Sequence, residues 1–171
     1  MQLLLTDTAT LESNNDLPLD VFDRFGKVAK FDNITRDELL TAAADKDIIL
    51  CNKTVIDREI MNAAPNLRYI GLFATGYNNI DIAAAKEKGI TVCNAGSYST
   101  NAVTQQVIGY ILMHYTKIPQ YDAFVKQGGW KCSGVFSPLI FSGDEVYGKT
   151  LGIVGYGNIG KAVEKAAEGL G

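Results

Sequence analysis

Histidine and cysteine are both scarce in this chain, with one of the former and three of the latter in 171 residues. The lone histidine, His114, falls near the end of an apolar helical stretch, where a structural role outweighs acid–base work. Cys51, Cys93 and Cys132 lie far apart and share no metal-ligand spacing, so no metal site is expected. An odd, sparse set of this kind points to reduced thiols in a cytoplasm rather than to a disulfide framework. No apolar run approaches the ~20 residues of a membrane span. Met1 to Thr6 is too short an apolar run for a secretion signal. Without one, the glycosylation-like triplets Asn33-Ile34-Thr35 and Asn52-Lys53-Thr54 read as chance. Lysine and arginine are scattered, the net charge is −3 and the pI is near 5.1. With no basic stripe, nucleic acid is not an expected partner, nor is a membrane.

What is present is apolar residue in quantity, 47% of the chain, enough for one domain or for one domain and part of another. The first hundred residues alternate strand and helix signals. Strands are expected at Gln2 to Leu5, Lys27 to Phe31, Asp47 to Cys51, Arg68 to Phe73 and Ile90 to Cys93. Leu19 to Phe25 reads as a helix. Thr35-Arg36-Asp37-Glu38 has the form of a capping box, opening a helix through about Ala44. Asp57 caps a helix to about Ala63, ended by Pro65, and Ile82 to Lys88 is helical until Gly89 stops it. Alternation of this kind predicts a parallel α/β sheet, flavodoxin-like, in the order 2-1-3-4-5.

The pattern then changes. Ser99 or Thr100 caps a long helix, Asn101 to about Tyr115, apolar almost all round and therefore expected to be buried on most sides. Pro119 opens a second helix to about Gln127. Gly128 to Tyr147 has no periodicity and reads as a loop, of a size usually functional or interfacial. Leu151 to Val154 is a short apolar strand. It runs into Gly155-Tyr156-Gly157-Asn158-Ile159-Gly160 and a helix-forming tail from Lys161 to Leu170. This is the G-x-G-x-x-G phosphate corner of a dinucleotide fold: Gly155 for the tight turn, Gly157 for close approach of a pyrophosphate, Gly160 for close helix packing. Amides at the helix tip then face the anion. An overlapping run, Gly143 to Thr150, fits G-x-x-x-x-G-K-T. It precedes a strand instead of following one and sets Asp144 and Glu145 where phosphates would sit, which argues against a triphosphate site.

Four stretches together resemble the D-2-hydroxyacid dehydrogenases, most closely their glycerate dehydrogenase (hydroxypyruvate reductase) branch: Leu67 to Asp81, Val92 to Val103, Gly129-Trp130, and Gly148 to Gly160. The resemblance implies a flavodoxin-like substrate domain over residues 1–98. Residues 99–171 would then hold interdomain helices, a loop and the first βα unit of a Rossmann NAD-binding domain. It implies an oxidoreductase that reduces a 2-keto acid such as hydroxypyruvate with hydride from NAD, NADP not being excluded. The substrate carboxylate would be held by backbone amides around Thr75 and Gly76; the alternative is a plain turn with Gly76 at a positive φ. Asn94 and Tyr98 match positions lining the substrate cleft, or are structural strand-end residues. Thr104, where alanine is common, and Asn158, where many relatives carry arginine, stand with Ile159 at positions near the cofactor. Asn101 replaces a frequent glutamate or aspartate. Trp130 either reaches toward a partner subunit or anchors its own loop.

The family's catalytic arginine, glutamate and histidine are expected beyond Gly171, so no catalytic residue is assigned among these residues and the polypeptide alone is expected to show no turnover. Leu151 to Val154 would lack neighbouring strands and pair with another chain or be poorly ordered, and a homodimer or larger assembly is expected. The competing reading is a non-catalytic nucleotide-binding or interaction protein that keeps the scaffold.

Overall fold

The computed structural model describes residues 1–11 and 16–171. These form two compact units, Met1–Gly96 and Ser97–Gly171.

The first unit is a five-stranded parallel sheet: β1 (Gln2–Leu5), β2 (Lys27–Lys30), β3 (Ile48–Cys51), β4 (Tyr69–Leu72) and β5 (Thr91–Cys93). Their order is β2-β1-β3-β4-β5, as the alternation predicts. Leu4 pairs with Ala29 and Ile49, and Ile49 with Ile70. Successive side chains of a strand face opposite ways, and here both faces are used. Leu4, Ile49 and Ile70 enter one core with Leu39 of α1 (Arg36–Ala42), Ile60 of α2 (Arg58–Ala63) and Ala84 of α3 (Ile82–Glu87). Leu5 and Leu50 enter a smaller core on the other face with Leu19 and Phe22.

The helix starts are chemically specified. Thr35 and Glu38 close the reciprocal capping box of α1, and the Asp57 and Asp81 carboxylates accept the amides of Ile60 and Ala84 at the starts of α2 and α3. Leu19–Phe25 is a 3₁₀ helix rather than an α-helix, bracketed by Pro18 and by Gly26 at φ 149°. The other boundaries of this unit match the expected ranges to within one or two residues.

The second unit contains α4 (Thr100–Thr116), α5 (Ile118–Lys126), α6 (Gly129–Cys132) and α7 (Asn158–Glu168). Helix α4 packs against α7. Lys117 joins α4 to α5 in a left-handed conformation (φ 56°); its amide closes on Met113 O at 3.2 Å and its Nζ on His114 O at 2.6 Å.

Three expectations are corrected here. Ser99 stands at the start of α4 with helical dihedrals and makes no side-chain capping bond. No residue of α4 is buried, although the helix is apolar all round; within this unit one helix and a loop do not supply surfaces for every side. Leu151–Val154 is not a strand, and Val154 is fully exposed. A strand exists only through the ladder it shares with a neighbour, and none pairs with it among the described residues.

The 128–147 segment is tied down more than its composition suggests. It contains α6, the Tyr121 hydroxyl donates to Phe141 O at 3.0 Å, and the Tyr121 and Phe141 rings meet edge-on at 5.1 Å.

Candidate functional site

In the first unit the carboxyl ends of β4 and β5 bring three of the sequence-selected residues together. The Asn94 side-chain amide donates to Thr75 O at 2.7 Å. One residue to either side, the Ala95 amide donates to Ala74 O at 3.0 Å. These bonds clasp the segment after β5 to the segment after β4 and leave Thr75, Gly76 and Asn94 on the surface. Gly76 does not occupy the left-handed region, which removes the positive-φ explanation for a glycine there. An added Cβ would meet nothing within 4 Å, so packing does not demand glycine either. What remains is a solvent-exposed turn at the carboxyl edge of a parallel sheet, where such folds receive ligands. A cavity of about 390 Å³ opens beside it, lined by Tyr77, Ile82, Lys86, Ile90, Val92 and Asn94.

In the second unit the three glycines of the corner have three separate physical reasons. Gly155 has φ +93°, a conformation that a side chain rarely tolerates. Gly160 lies in the first turn of α7, and a Cβ there would sit 2.4 Å from Gly155 O and 3.4 Å from Ile153 Cγ2. Gly157 is the N-cap of α7 with φ −85° and ψ −158°, and a Cβ would meet nothing within 4 Å. The outer two glycines are thus required by the protein's own geometry, and the middle one leaves open space over the helix tip. The ladder of α7 begins with the Lys161 amide on Gly157 O at 3.0 Å, so the amides of Asn158, Ile159 and Gly160 belong to the first turn, which has no intrahelical acceptors. That turn holds no acidic side chain and carries the positive end of the helix dipole. The donor set fits a diphosphate. Tyr156, between the glycines, donates its hydroxyl to the Glu164 carboxylate, and this bond raises the Tyr156 pKa above its ordinary value.

The other selected residues also belong to the second unit. Tyr98 is 69% exposed. The Thr104 hydroxyl proton is committed to Thr100 O at 2.8 Å, leaving that oxygen able to accept but not to donate. Trp130 anchors its own loop through an indole N–H to Phe136 O at 2.9 Å. His114 is exposed near the end of α4 and packs edge-on against Tyr115. The Gly143–Thr150 run leads into no helix, and Asp144 lies 4.0 Å from Lys149 within it, so it has neither the context nor the free cation of a triphosphate loop.

Sequence reasoning missed Asp7. This buried carboxylate, at the carboxyl end of β1, accepts the amides of Asn52, Lys53 and Thr54. Its only local sign is an acid between two threonines after a strand, and its partners lie some 45 residues away.

Comparison with known proteins bears on the whole chain. The description "D-isomer specific 2-hydroxyacid dehydrogenase, catalytic domain" matches residues 5–166. A hydroxypyruvate reductase of Blautia hydrogenotrophica is 34% identical over 178 aligned positions, covering 100% of this chain and 54% of the relative. A glyoxylate reductase of Thermococcus onnurineus is 39% identical over 140, covering 81% and 42%. The crystal structure of the TT0316 protein from Thermus thermophilus matches with a TM-score of 0.81 at 27% identity, covering 99% of this chain and 53% of that one. The chain spans about half the length of the curated relatives it matches.

Proposed function

The chain belongs to the D-isomer specific 2-hydroxyacid dehydrogenases, and from that premise we propose that it supplies the substrate turn and the cofactor corner of an NAD(P)-dependent oxidoreductase. The reaction is reduction of a small 2-keto acid such as hydroxypyruvate to the D-2-hydroxy acid. Residues 1–98 act as the substrate domain and residues 99–171 open the cofactor domain.

The observation that carries the reading is the corner at α7, where Gly155 and Gly160 are fixed by backbone geometry while Gly157 keeps the helix tip clear. When bound, the nicotinamide supplies the hydride. The amides of Asn158, Ile159 and Gly160 hold the diphosphate, and Asn158 contributes dipoles where a cation would have added charge. Thr104 accepts a hydrogen bond from the cofactor side. The amides at Thr75 and Gly76 hold the substrate carboxylate, a backbone concavity suited to an anion. Asn94 fixes that turn through Thr75 O, and Tyr98 is proposed as a further substrate-binding residue.

NAD is the proposed cofactor. The acidic side chain that selects NAD over NADP in such folds stands about 20 residues past the corner. A homodimer is proposed on the exposed apolar side chains of the 130–141 segment, Phe136 and Leu139 above all. A cytoplasmic setting is proposed on the three free thiols; among the described residues no helix is long and apolar enough to cross a membrane.

The test has two arms. The 171-residue polypeptide is expected to bind NADH weakly or not at all by calorimetry, and to show no hydroxypyruvate- or glyoxylate-dependent oxidation of NADH or NADPH. Turnover by this polypeptide would overturn the assignment of roles. Expressed with any coding sequence that follows Gly171, the protein is expected to reduce hydroxypyruvate and to lose that activity on Gly157→Val. Cofactor binding without turnover in that longer protein would favour a non-catalytic nucleotide-binding function.

A further inference from the structure

We propose that Asp7 is a positioning residue for the turn that carries Thr75 and Gly76, an inference that rests on the substrate role given to that turn above. The Asp7 side chain is buried, the residue being only 2% exposed. A carboxylate is kept away from water only when hydrogen bonds replace those that water made. Here they come from main chain far along the sequence. The Asn52 amide donates to Oδ1 at 2.9 Å and to Oδ2 at 3.1 Å, the Lys53 amide to Oδ2 at 2.5 Å, and the Thr54 amide to Oδ2 at 3.0 Å. The Thr6 hydroxyl adds a fourth donor at 3.0 Å. Three consecutive amides wrapped on one carboxylate fix the course of the chain as it leaves β3.

Two connections carry that constraint onward. The Asn79 side-chain amide donates to Thr54 O at 2.8 Å and to Asn52 O at 3.4 Å. Ile56 and Ile80 form a parallel bridge, closed by the Ile56 amide on Asn79 O at 2.9 Å and the Asp81 amide on Ile56 O at 3.0 Å. The turn after β4 is therefore held at both ends. Its near end is fixed by β4 itself and by Asn94 on Thr75 O. Its far end, at Asn79 and Ile80, is fixed by a segment that Asp7 holds. The donors on both Asp7 oxygens come from residue 6 and from residues 52–54, so its effect on the turn is through position. Without the carboxylate, three adjacent amides lose their acceptor together, and the far end of the substrate turn loses its anchor.

The experiment uses the 171-residue chain, isotopically labelled, with Asp7→Asn, Asn79→Ala and the double variant. Amide chemical shifts are read throughout, and hydroxypyruvate is titrated as the probe while the Gly76 amide is followed. Asp7→Asn is expected to shift Thr75 and Gly76 as well as Asn52 to Thr54, and to leave β2 and α3 in place. Each single variant is expected to weaken hydroxypyruvate binding roughly ten-fold, and the double variant to be no weaker than either, because both act through one segment. Shifts confined to 52–54, or fully additive losses in the double variant, would overturn the proposal. Should Asp7→Asn fail to fold, Asn79→Ala decides the matter with the Asp7 bonds intact: unmoved Thr75 and Gly76 amides refute it. A wild-type chain in which hydroxypyruvate leaves Gly76 unperturbed would refute the substrate role of the turn, while the spread of shifts from residue 7 would still decide the positioning.

Discussion

Replacing Gly160 by alanine separates the two reasons for glycine in the corner of α7. The added methyl would lie 2.4 Å from Gly155 O, a backbone atom that cannot rotate aside. Reaching even the 3.0 Å limit below which real Cβ atoms essentially never occur requires the first turn of α7 to back away by about 0.6 Å. Overpacking of this kind costs about 1–3 kcal/mol. Alanine is the better helix former by up to ~1 kcal/mol, but in the first turn it gains only part of that. The net expectation is a loss of about 1–2 kcal/mol in the docking of α7, a factor of roughly 5–30 in the opening equilibrium. Gly157→Ala serves as the control, since its Cβ meets nothing within 4 Å and its backbone lies outside the left-handed region. Hydrogen exchange of the α7 amides reads both variants. Gly160→Ala is expected to accelerate exchange by that factor, and Gly157→Ala, which loses only the N-cap preference for glycine, by less than about five-fold. Equal protection in the two variants, or greater loss in Gly157→Ala, would refute the assignment of close packing to one position and open space to the other.

Two further expectations concern ionisation. Burial, with the Asp7 charge nearby, pushes the Cys51 thiol up to about 12, whereas Cys93 and Cys132 are exposed. A thiol reagent at neutral pH should therefore modify two cysteines in the folded chain and the third only on unfolding, and rapid labelling of Cys51 would contradict its place in the core. The Gln2 amide, and then Arg68, hold the Asp47 carboxyl below its ordinary value. A carboxyl whose folded pKa is depressed contributes stability that is complete above its unfolded value near ~4, and that contribution is lost as pH falls through the folded value. Denaturant midpoints should therefore fall less steeply with acidification in Asp47→Asn than in the parent, and parallel curves would count against the Gln2 bond.

Much of the first unit was legible because its signals are local. Alternation of apolar runs with Thr35, Asp57 and Asp81 caps gives element type, and right-handed parallel connection leaves few strand orders. What sequence did not disclose depends on partners. Leu151 to Val154 has a strand's composition, but a ladder needs a second chain segment. Helix α4 has the apolar girth of a buried helix, yet burial belongs to the surroundings rather than to the helix. The corner glycines were legible by spacing, while only the folded backbone separates the two that the fold requires from the one that it leaves open. Asp7 was invisible for a similar reason: nothing near residue 7 announces that its carboxylate serves amides at 52–54.

The placement of β1 between β2 and β3 has a consequence for biosynthesis. The strand that leaves the ribosome ahead of the other four is the one whose two flanks must be filled by segments not yet made. Until Ile48 to Cys51 has emerged, Leu3, Leu4 and Leu5 have at most one neighbour and remain exposed to other nascent chains. The 27–30 strand can shield only one side during that interval, so the vulnerable period of this protein is set by the time taken to translate roughly 45 residues.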